Sequence, residues 1–127
     1  MTPKFICHPL FEELKPINVF HKELQPTKNY LHPKELLNKH VLFRRRFSLD
    51  KIKKATLKIS ADDYYKLYIN GVFVTQGPAP SYPSSYFYNE LDVTSYLKEG
   101  ENIVAVHTYY QGLINRVWGD TNSLLLL

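Results

Sequence analysis

The stretch that decides the fold is Tyr64-Tyr-Lys-Leu-Tyr-Ile-Asn-Gly-Val-Phe-Val-Thr75. Aromatic and β-branched residues dominate both halves, and such residues favour strands because they pack well on a pleated, half-buried surface. Between the halves stands Asn70-Gly71, which supplies the positive φ angles that a two-residue type I′ turn requires. The stretch therefore predicts a β-hairpin.

Two strands with alternating polarity are predicted before the hairpin. Val41-Leu-Phe-Arg-Arg-Arg-Phe-Ser-Leu49 places its odd-numbered, mostly apolar positions on one face and its polar positions on the other. Arg45 falls on the apolar face, where it requires a carboxylate partner or a place at the rim of the sheet, because an unpaired buried charge is costly. Ala55-Thr-Leu-Lys-Ile-Ser-Ala61 alternates in the same way and predicts a strand with one face toward water, including Ser60.

A long loop, a strand and a helical turn are predicted after the hairpin. Gly77-Pro-Ala-Pro-Ser-Tyr-Pro-Ser-Ser85 contains three prolines, too many missing donors for a central strand, and indicates an ordered loop. Tyr86-Phe-Tyr-Asn-Glu-Leu91 resumes a strand. Asp92 or Thr94 can then cap a single helical turn, which Gly100 can end in a left-handed conformation.

Two further strands complete the predicted sheets. Asn102-Ile-Val-Ala-Val-His-Thr-Tyr-Tyr110 is apolar on both parities, as expected for a central strand covered on both faces. Ser123-Leu-Leu-Leu-Leu127 is predicted to be a strand without a closing turn, at the end of a truncated sandwich. A strand edge left unpaired there would favour self-association, so we expect a dimer or larger assembly.

The N-terminal part of the chain differs in composition from the rest. Five of the eight prolines fall in the first 40 residues, which predicts extended segments, with a short strand at Ile17-Asn-Val-Phe20 and a helical turn at Pro33-Lys-Glu-Leu-Leu-Asn38. We therefore divide the chain into a wrapping segment, residues 1–40, and a β-sandwich domain, residues 41–127. The strand pattern indicates an all-β, antiparallel sandwich of jelly-roll type.

Composition and charge exclude several function classes. The chain has 127 residues, a formal net charge of +4 and no apolar run of the roughly 20 residues that a membrane helix needs. Nucleic acid is not an expected partner, because a strand sends the neighbouring arginines of Arg44-Arg-Arg46 to opposite faces. Cys7 is the single cysteine, and the five histidines lack metal-ligand spacing, so we expect no disulfide framework, metal or other cofactor. The N-terminal residues lack the apolar core of a secretory signal, which favours the cytoplasm.

Four segments together resemble the N-terminal β-sandwich domain of bacterial α-L-rhamnosidases and related glycoside hydrolases. They are Phe43-Arg-Arg-Arg-Phe47, Ala55-Thr-Leu-Lys-Ile-Ser-Ala-Asp62, Tyr65-Lys-Leu-Tyr-Ile-Asn-Gly71 and Asp92-Val-Thr-Ser-Tyr-Leu-Lys-Glu-Gly-Glu-Asn-Ile-Val-Ala-Val106. Their order and spacing match over roughly residues 41 to 110. The resemblance implies a galactose-binding-domain-like jelly roll that precedes a helical toroid with the catalytic carboxylates.

The same resemblance implies an accessory role and a partner. Because the toroid is absent from this chain, the domain is expected to be non-catalytic, to contact the rest of the parent enzyme, and to recognise rhamnose-containing glycans or brace the catalytic domain. A free-standing, lectin-like carbohydrate-binding module is the alternative. Many of these N-terminal domains have a loop with glycine and tryptophan after the hairpin, whereas this chain has Gly77-Pro-Ala-Pro-Ser-Tyr-Pro83.

Carboxylates and aromatic residues are the two groups of site candidates. Glu90 and Asp92 lie two apart on one strand face, at the separation of an inverting carboxylate pair, but any such pair does so, and we predict no catalytic residue. Asp92 is better explained as a cap, and Glu90 as a solvated or arginine-paired residue. Aromatic rings beside polar side chains suit a pyranose, which has apolar faces and many hydroxyls. The carbohydrate-binding candidates are Tyr82, Tyr86, Tyr88, His107, Tyr109, Tyr110, Asn115, Arg116 and Trp118, and the alternative is that the tyrosines pack against the catalytic domain.

Overall fold

The computed structural model describes residues 4–12, 34–79, 87–112 and 125–126. These residues form eight strands and three short 3-10 turns, without an α-helix. The turns are Pro9–Phe11, Lys34–Leu36 and Thr94–Tyr96. The strands are β1 (Phe5–Ile6), β2 (Lys39–Leu49), β3 (Thr56–Ala61), β4 (Tyr64–Ile69), β5 (Val72–Gly77), β6 (Asn89–Asp92), β7 (Gly100–Tyr110) and β8 (Leu125–Leu126).

The strands form two four-stranded antiparallel sheets with the orders β1-β8-β3-β6 and β2-β7-β4-β5. A core lies between the sheets, because Ile59 and Ala61 of β3 pack with Leu67 of β4 and Val106 of β7. Full burial of such a side chain contributes about 1.5–3 kcal/mol. The predicted all-β antiparallel sandwich is confirmed.

The hairpin is confirmed in detail. Strands β4 and β5 pair across Asn70 and Gly71, whose φ angles of 51° and 83° are those of a type I′ turn. The Asn70 side chain also accepts a hydrogen bond from the Ile103 amide at 2.9 Å and donates one to the Tyr96 carbonyl at 2.9 Å. The turn is thereby attached to the strand that lies beside it.

Asn102 stands at the centre of this polar network and is fully buried. Its Oδ1 accepts hydrogen bonds from the Lys98 amide and from Asn70 Nδ2, both at 2.9 Å. Its Nδ2 donates to the carbonyls of Lys98 at 2.6 Å and Gly100 at 3.0 Å. The network satisfies a buried amide that would otherwise be costly. It joins the turn at Asn70 to the segment that leads into β7.

The turn before β7 follows the prediction in part. Asp92 Oδ1 accepts a hydrogen bond from the Thr94 amide at 3.0 Å, and Thr94 Oγ1 accepts one from the Ala55 amide at 3.0 Å. The pKa of Asp92 is lowered, first by its hydrogen bonds with Thr94. Gly100 has the expected positive φ of 82°, but it opens β7 rather than ending the turn, which closes at Leu97.

The polarity of β2 and β3 was predicted correctly except at one residue. Arg45 is exposed on the edge strand β2, which agrees with the second of the two alternatives, a place at the rim of the sheet. Ser60, expected to face water, is instead fully buried, and its Oγ donates a hydrogen bond of 2.6 Å to the Phe87 carbonyl. A segment distant in sequence therefore covers this part of β3, which the local alternation does not reveal.

The pairing of strand β8 differs from the expectation that the strand at residues 123–127 leaves an unpaired edge. A strand at 125–126 is present, but it is paired on both sides: Leu126 lies opposite Phe5 of β1 and also opposite Ser60 of β3. The unpaired edge is therefore not located there. β7, expected to be central, does lie between β2 and β4.

A second, smaller core involves the N-terminal part of the chain. Phe11, Leu36 and Tyr110 are buried together, and the Phe11 and Tyr110 rings meet edge to face with centroids 5.2 Å apart. Strand β2 begins at Lys39, two residues before the predicted boundary, and the predicted turn near Pro33 is the 3-10 turn Lys34–Leu36. The strand predicted at residues 17–20 lies outside the described residues, as does most of the loop after Gly77. Within the described part of the chain, no helix is long and apolar enough to cross a membrane.

Candidate functional site

A cleft of about 810 Å³ lies at the end of the second sheet where β2 and β4 begin and where β5 and β7 end. This volume falls within the range of about 300–1,000 Å³ that is typical of small-molecule sites. The described residues that line it are Asn38, His40, Tyr64, Tyr65, Lys66, Gln76, Gly77, Pro78, Ala79, Asn89, His107 and Tyr109. None of these described residues carries a carboxylate.

Three rings form a stacked row along the cleft. His40 lies opposite Tyr109, and Tyr109 lies opposite Tyr64, so that the register of β2, β7 and β4 places the rings side by side. The His40 and Tyr109 centroids are 4.9 Å apart at an interplanar angle of 30°, and those of Tyr109 and Tyr64 are 6.5 Å apart at 17°. His40 and Tyr64 are exposed. The row therefore presents aromatic surface to solvent.

The ring of His107 lies beside that of His40 and adds a second imidazole to the row. Its Nε2 lies 2.8 Å from Nδ1 of His40, so one of these nitrogens donates a hydrogen bond and the other accepts it. Burial lowers the pKa of His107 below its usual value of 6.5, and the charges of His40 and Lys66 lower it further. The neutral form of His107 is thereby favoured, which preserves an acceptor or donor for hydroxyl groups.

Two tyrosine hydroxyls are held by asparagines at the walls of the cleft. Tyr109 Oη donates to Asn38 Oδ1 at 2.6 Å, and Tyr65 Oη donates to Asn89 Oδ1 at 2.8 Å. Burial raises the pKa of Tyr65 to about 12, so it stays a donor. The Tyr65 bond joins the two sheets. It passes close to Gly77, where a Cβ atom would lie 2.6 Å from Asn89 Oδ1.

The structure places the predicted sugar-binding residues in different surroundings. His107 and Tyr109 line the cleft. Tyr88 is exposed but does not line it, and its ring lies beneath Lys58 Nζ at 5.5 Å. Tyr110 is buried in the second core, because side chains alternate along β7 and its ring points opposite to that of Tyr109. The remaining candidates, Tyr82, Tyr86, Asn115, Arg116 and Trp118, lie outside the described residues.

Sequence reasoning missed most of the cleft. Asn38, His40, Tyr64, Lys66 and Gln76 come from three separate segments and meet only through the pairing of β2, β7, β4 and β5. The spacing within each segment contains no motif. The one available clue was parity: His40 directly precedes the predicted strand 41–49, whose even positions face outward, and the aromatic Tyr64 opens another strand with the same alternation.

The carboxylates considered for catalysis have structural partners. Glu90 forms a salt bridge of 3.2 Å with Lys58, so its partner is a lysine rather than an arginine, and Asp92 holds the Thr94 amide. Both side chains are exposed. Among the described residues, no group of three or more histidine, cysteine or acidic side chains is arranged to hold a metal ion.

The side chains that line the cleft have the chemistry to contact a sugar ring. Aromatic faces accept the apolar face of a pyranose, and the imidazoles, amides and Lys66 ammonium can bond its hydroxyls. Glycoside hydrolysis normally requires two carboxyl groups about the scissile bond, and the described lining of the cleft has none. Fold and cleft together define an antiparallel β-sandwich domain with a cleft of small-molecule size at the end of one sheet.

Comparison with known proteins assigns the domain to a family. Residues 50–122 match the model of the alpha-L-rhamnosidase N-terminal domain, and the chain belongs to this family. No curated protein matches it. The chain is similar to the crystal structure of a GH78 family rhamnosidase of Bacillus sp. GL1, with 32% identity over 70% of this chain and a TM-score of 0.67.

Two further solved structures extend the similarity. A native α-L-rhamnosidase from Aspergillus terreus is 32% identical over 68% of this chain, with a TM-score of 0.56. A Streptomyces avermitilis α-L-rhamnosidase complexed with L-rhamnose shares the fold, at 24% identity over 70% of this chain and a TM-score of 0.54. The matched part covers only 10%, 12% and 8% of the three solved chains, respectively.

Proposed function

We propose that this chain is a non-catalytic, carbohydrate-recognising domain of an α-L-rhamnosidase-like glycoside hydrolase. The observation that carries the proposal is the exposed row of His40, Tyr109 and Tyr64 in a cleft whose described lining has no carboxylate. Membership of the family supplies the context of a glycosidase. Rhamnose-containing glycans are the proposed ligands, and the catalytic part of the parent enzyme is the proposed partner.

Titration with methyl α-L-rhamnoside, followed by the backbone amide signals of the protein in NMR spectra, tests recognition. We expect shifts at residues 38–40, 64–66 and 107–109 with an affinity of millimolar or weaker, since a small ligand on an open surface recovers little of its lost freedom. Tyr109→Ala should abolish the shifts. Phe73→Ala, which removes an exposed ring at the hairpin outside the cleft lining, is the matched control. Shifts distributed elsewhere would contradict the assignment of the cleft.

The non-catalytic part of the proposal is tested with aryl α-L-rhamnosides and other aryl glycosides. We expect no turnover by the 127-residue chain. Turnover that is abolished by Glu90→Gln or Asp92→Asn would show a carboxylate mechanism and overturn the accessory role.

A bracing role is the second candidate, and Arg45 favours it. An apolar groove of about 490 Å³ is lined by Arg45 together with Phe47, Leu57 and other apolar residues. No carboxylate of the described residues forms a salt bridge with Arg45. The proposed occupant is an apolar segment of the parent enzyme that carries a carboxylate. Arg45→Met should then weaken the association of this domain with the separately produced remainder of the enzyme, whereas Arg44→Met, on the opposite face of β2, should not.

Three expectations from the sequence stay predictions. Self-association is still proposed, now through the open groove or exchange of terminal strands rather than an unpaired edge at β8, and light scattering at micromolar concentration measures it. A monomer at that concentration would rule out self-association.

The cytoplasmic location is also still a prediction, and cell fractionation tests it. The alternative of a free-standing lectin-like module would be favoured by micromolar sugar affinity.

A further inference from the structure

The cleft opens onto a face of the second sheet that is rich in cations and poor in carboxylates. Outward-facing positions alternate along each strand, and on β2 they include Arg44 and Arg46, while Lys66 faces outward from β4. All three side chains are exposed. Register places Lys66 opposite both His107 and Gln76, within the cleft lining. The arginines lie on the same face, about 7 Å apart by strand geometry.

Among the described residues, the carboxylates near this surface either lie far from the cleft or already accept a hydrogen bond. Glu101 faces outward on β7 but pairs with Ser48 at the far end of the sheet from the cleft. Asp63 precedes Tyr64, and its Oδ2 accepts a hydrogen bond of 2.7 Å from the Gln111 amide. Its charge contributes to the raised pKa of Tyr64, after burial. The side of the cleft formed by His107 and Lys66 therefore lacks a neutralising group among the described residues.

From this juxtaposition of an aromatic row with cations that no carboxylate of the described residues neutralises, we propose that the cleft recognises an acidic sugar, namely a pyranose bearing a carboxylate. The ring lies on His40 and Tyr109, and the carboxylate is bound by Lys66, with the His107 imidazole as a further donor. Residues of the glycan beyond the cleft extend over the face that carries Arg44 and Arg46. The inference rests on the proposed carbohydrate-binding function and names its ligand class.

A matched pair of sugars isolates the role of the carboxylate. D-galacturonate and D-galactose differ only at C6. NMR titrations with the two sugars, followed by the same amide signals, therefore compare the binding of one ring with and without a carboxylate. We expect the midpoint of the galacturonate titration to lie at a sugar concentration at least tenfold lower than the midpoint of the galactose titration. The difference should shrink as salt is raised, because exposed charges are screened.

The residue that binds the carboxylate is tested by Lys66→Gln, with Lys53→Gln as the control. Both lysines are exposed, and Lys53 lies outside the cleft lining. Lys66→Gln should remove the preference for galacturonate over galactose, and Lys53→Gln should preserve it. The NMR spectrum of each variant also reports whether the fold is intact.

The outcomes separate this inference from the function on which it rests. Equal midpoints for galacturonate, galactose and methyl α-L-rhamnoside would overturn the acidic-sugar inference and leave carbohydrate recognition standing. No shift with any of these sugars would overturn both. Equally tight binding of an oligoglutamate peptide or a DNA oligonucleotide at the same signals would show that charge alone is recognised, and would overturn the sugar assignment.

Discussion

The two ends of the β2-β7-β4-β5 sheet use the same kinds of side chains for opposite purposes. At the hairpin end, Asn70 and Asn102 are linked to each other and to the backbone, with Asn102 fully buried. At the cleft end, His40, Tyr109 and Tyr64 form a row in which the two outer rings, His40 and Tyr64, are exposed to solvent. The difference teaches that polar groups at the hairpin end hold the turn in the fold, whereas the rings at the cleft end lie at the surface where we propose that a ligand binds.

The largest effect should come from the hairpin end. Asn102→Ala removes an amide that makes four hydrogen bonds and leaves buried backbone groups without their partner. We expect a loss of about 3 kcal/mol in the free energy of unfolding, measured by urea denaturation. A loss below about 1 kcal/mol would mean that water replaces the side chain and that the network does not specify the turn.

Gly77→Ala should have the next largest effect, at the boundary of the cleft. The added methyl group would lie 2.6 Å from Asn89 Oδ1 and 3.2 Å from Tyr65 Oη, so it must displace the hydrogen bond between the sheets. Overpacking of this kind costs about 1–3 kcal/mol. The urea midpoint should fall, and so should ligand affinity. Gly71→Ala is not a matched control, because its φ of 83° is itself unfavourable for alanine.

Tyr109→Phe tests the cleft end of the sheet and should change stability less than the two preceding substitutions. It removes the hydroxyl that bonds Asn38 but keeps the ring on which His40 stacks. Because this hydrogen bond is exposed, we expect a loss of only about 0.5–1 kcal/mol in stability. Sugar binding should largely persist if the ring face carries it. Complete loss of binding would show that the hydroxyl, not the ring, is the main contact.

The smallest expected effect is the pH dependence of stability at the cleft end. The folded state lowers the pKa of His107, because its ring is partly buried and faces His40 and Lys66, with Tyr109 two residues away on the same face. The unfolded chain therefore binds the proton more readily. The contribution of His107 to stability is fully present above pH 6.5 and is lost as the pH falls through its lower, folded-state pKa.

Thermal denaturation at a series of pH values measures this effect. His107→Gln should flatten the part of the profile just below pH 6.5. An unchanged profile in His107→Gln would assign the pH dependence to other groups.

Local patterns predicted the strands well, and long-range pairing explains what they missed. The hairpin at Asn70-Gly71 and the alternation of β2 depend on neighbouring residues, so they could be predicted. Burial of Ser60 depends on Phe87, which lies 27 residues away. The contact between His40 and His107 spans 67 residues. Without the register of β2 and β7, neither the cleft nor the opposite directions of Tyr109 and Tyr110 could be placed.

The position of β8 has a consequence for synthesis of the chain on the ribosome. Strand β8 separates β1 from β3, so Phe5 and Ser60 both lack their partner until residues 125–126 have emerged. Translation at roughly 5–20 residues per second leaves the nascent chain with two open strand edges for several seconds after the hairpin has been made. The first sheet therefore stays incomplete to the end of this interval, whereas all four strands of the second sheet are present once Tyr110 has been released.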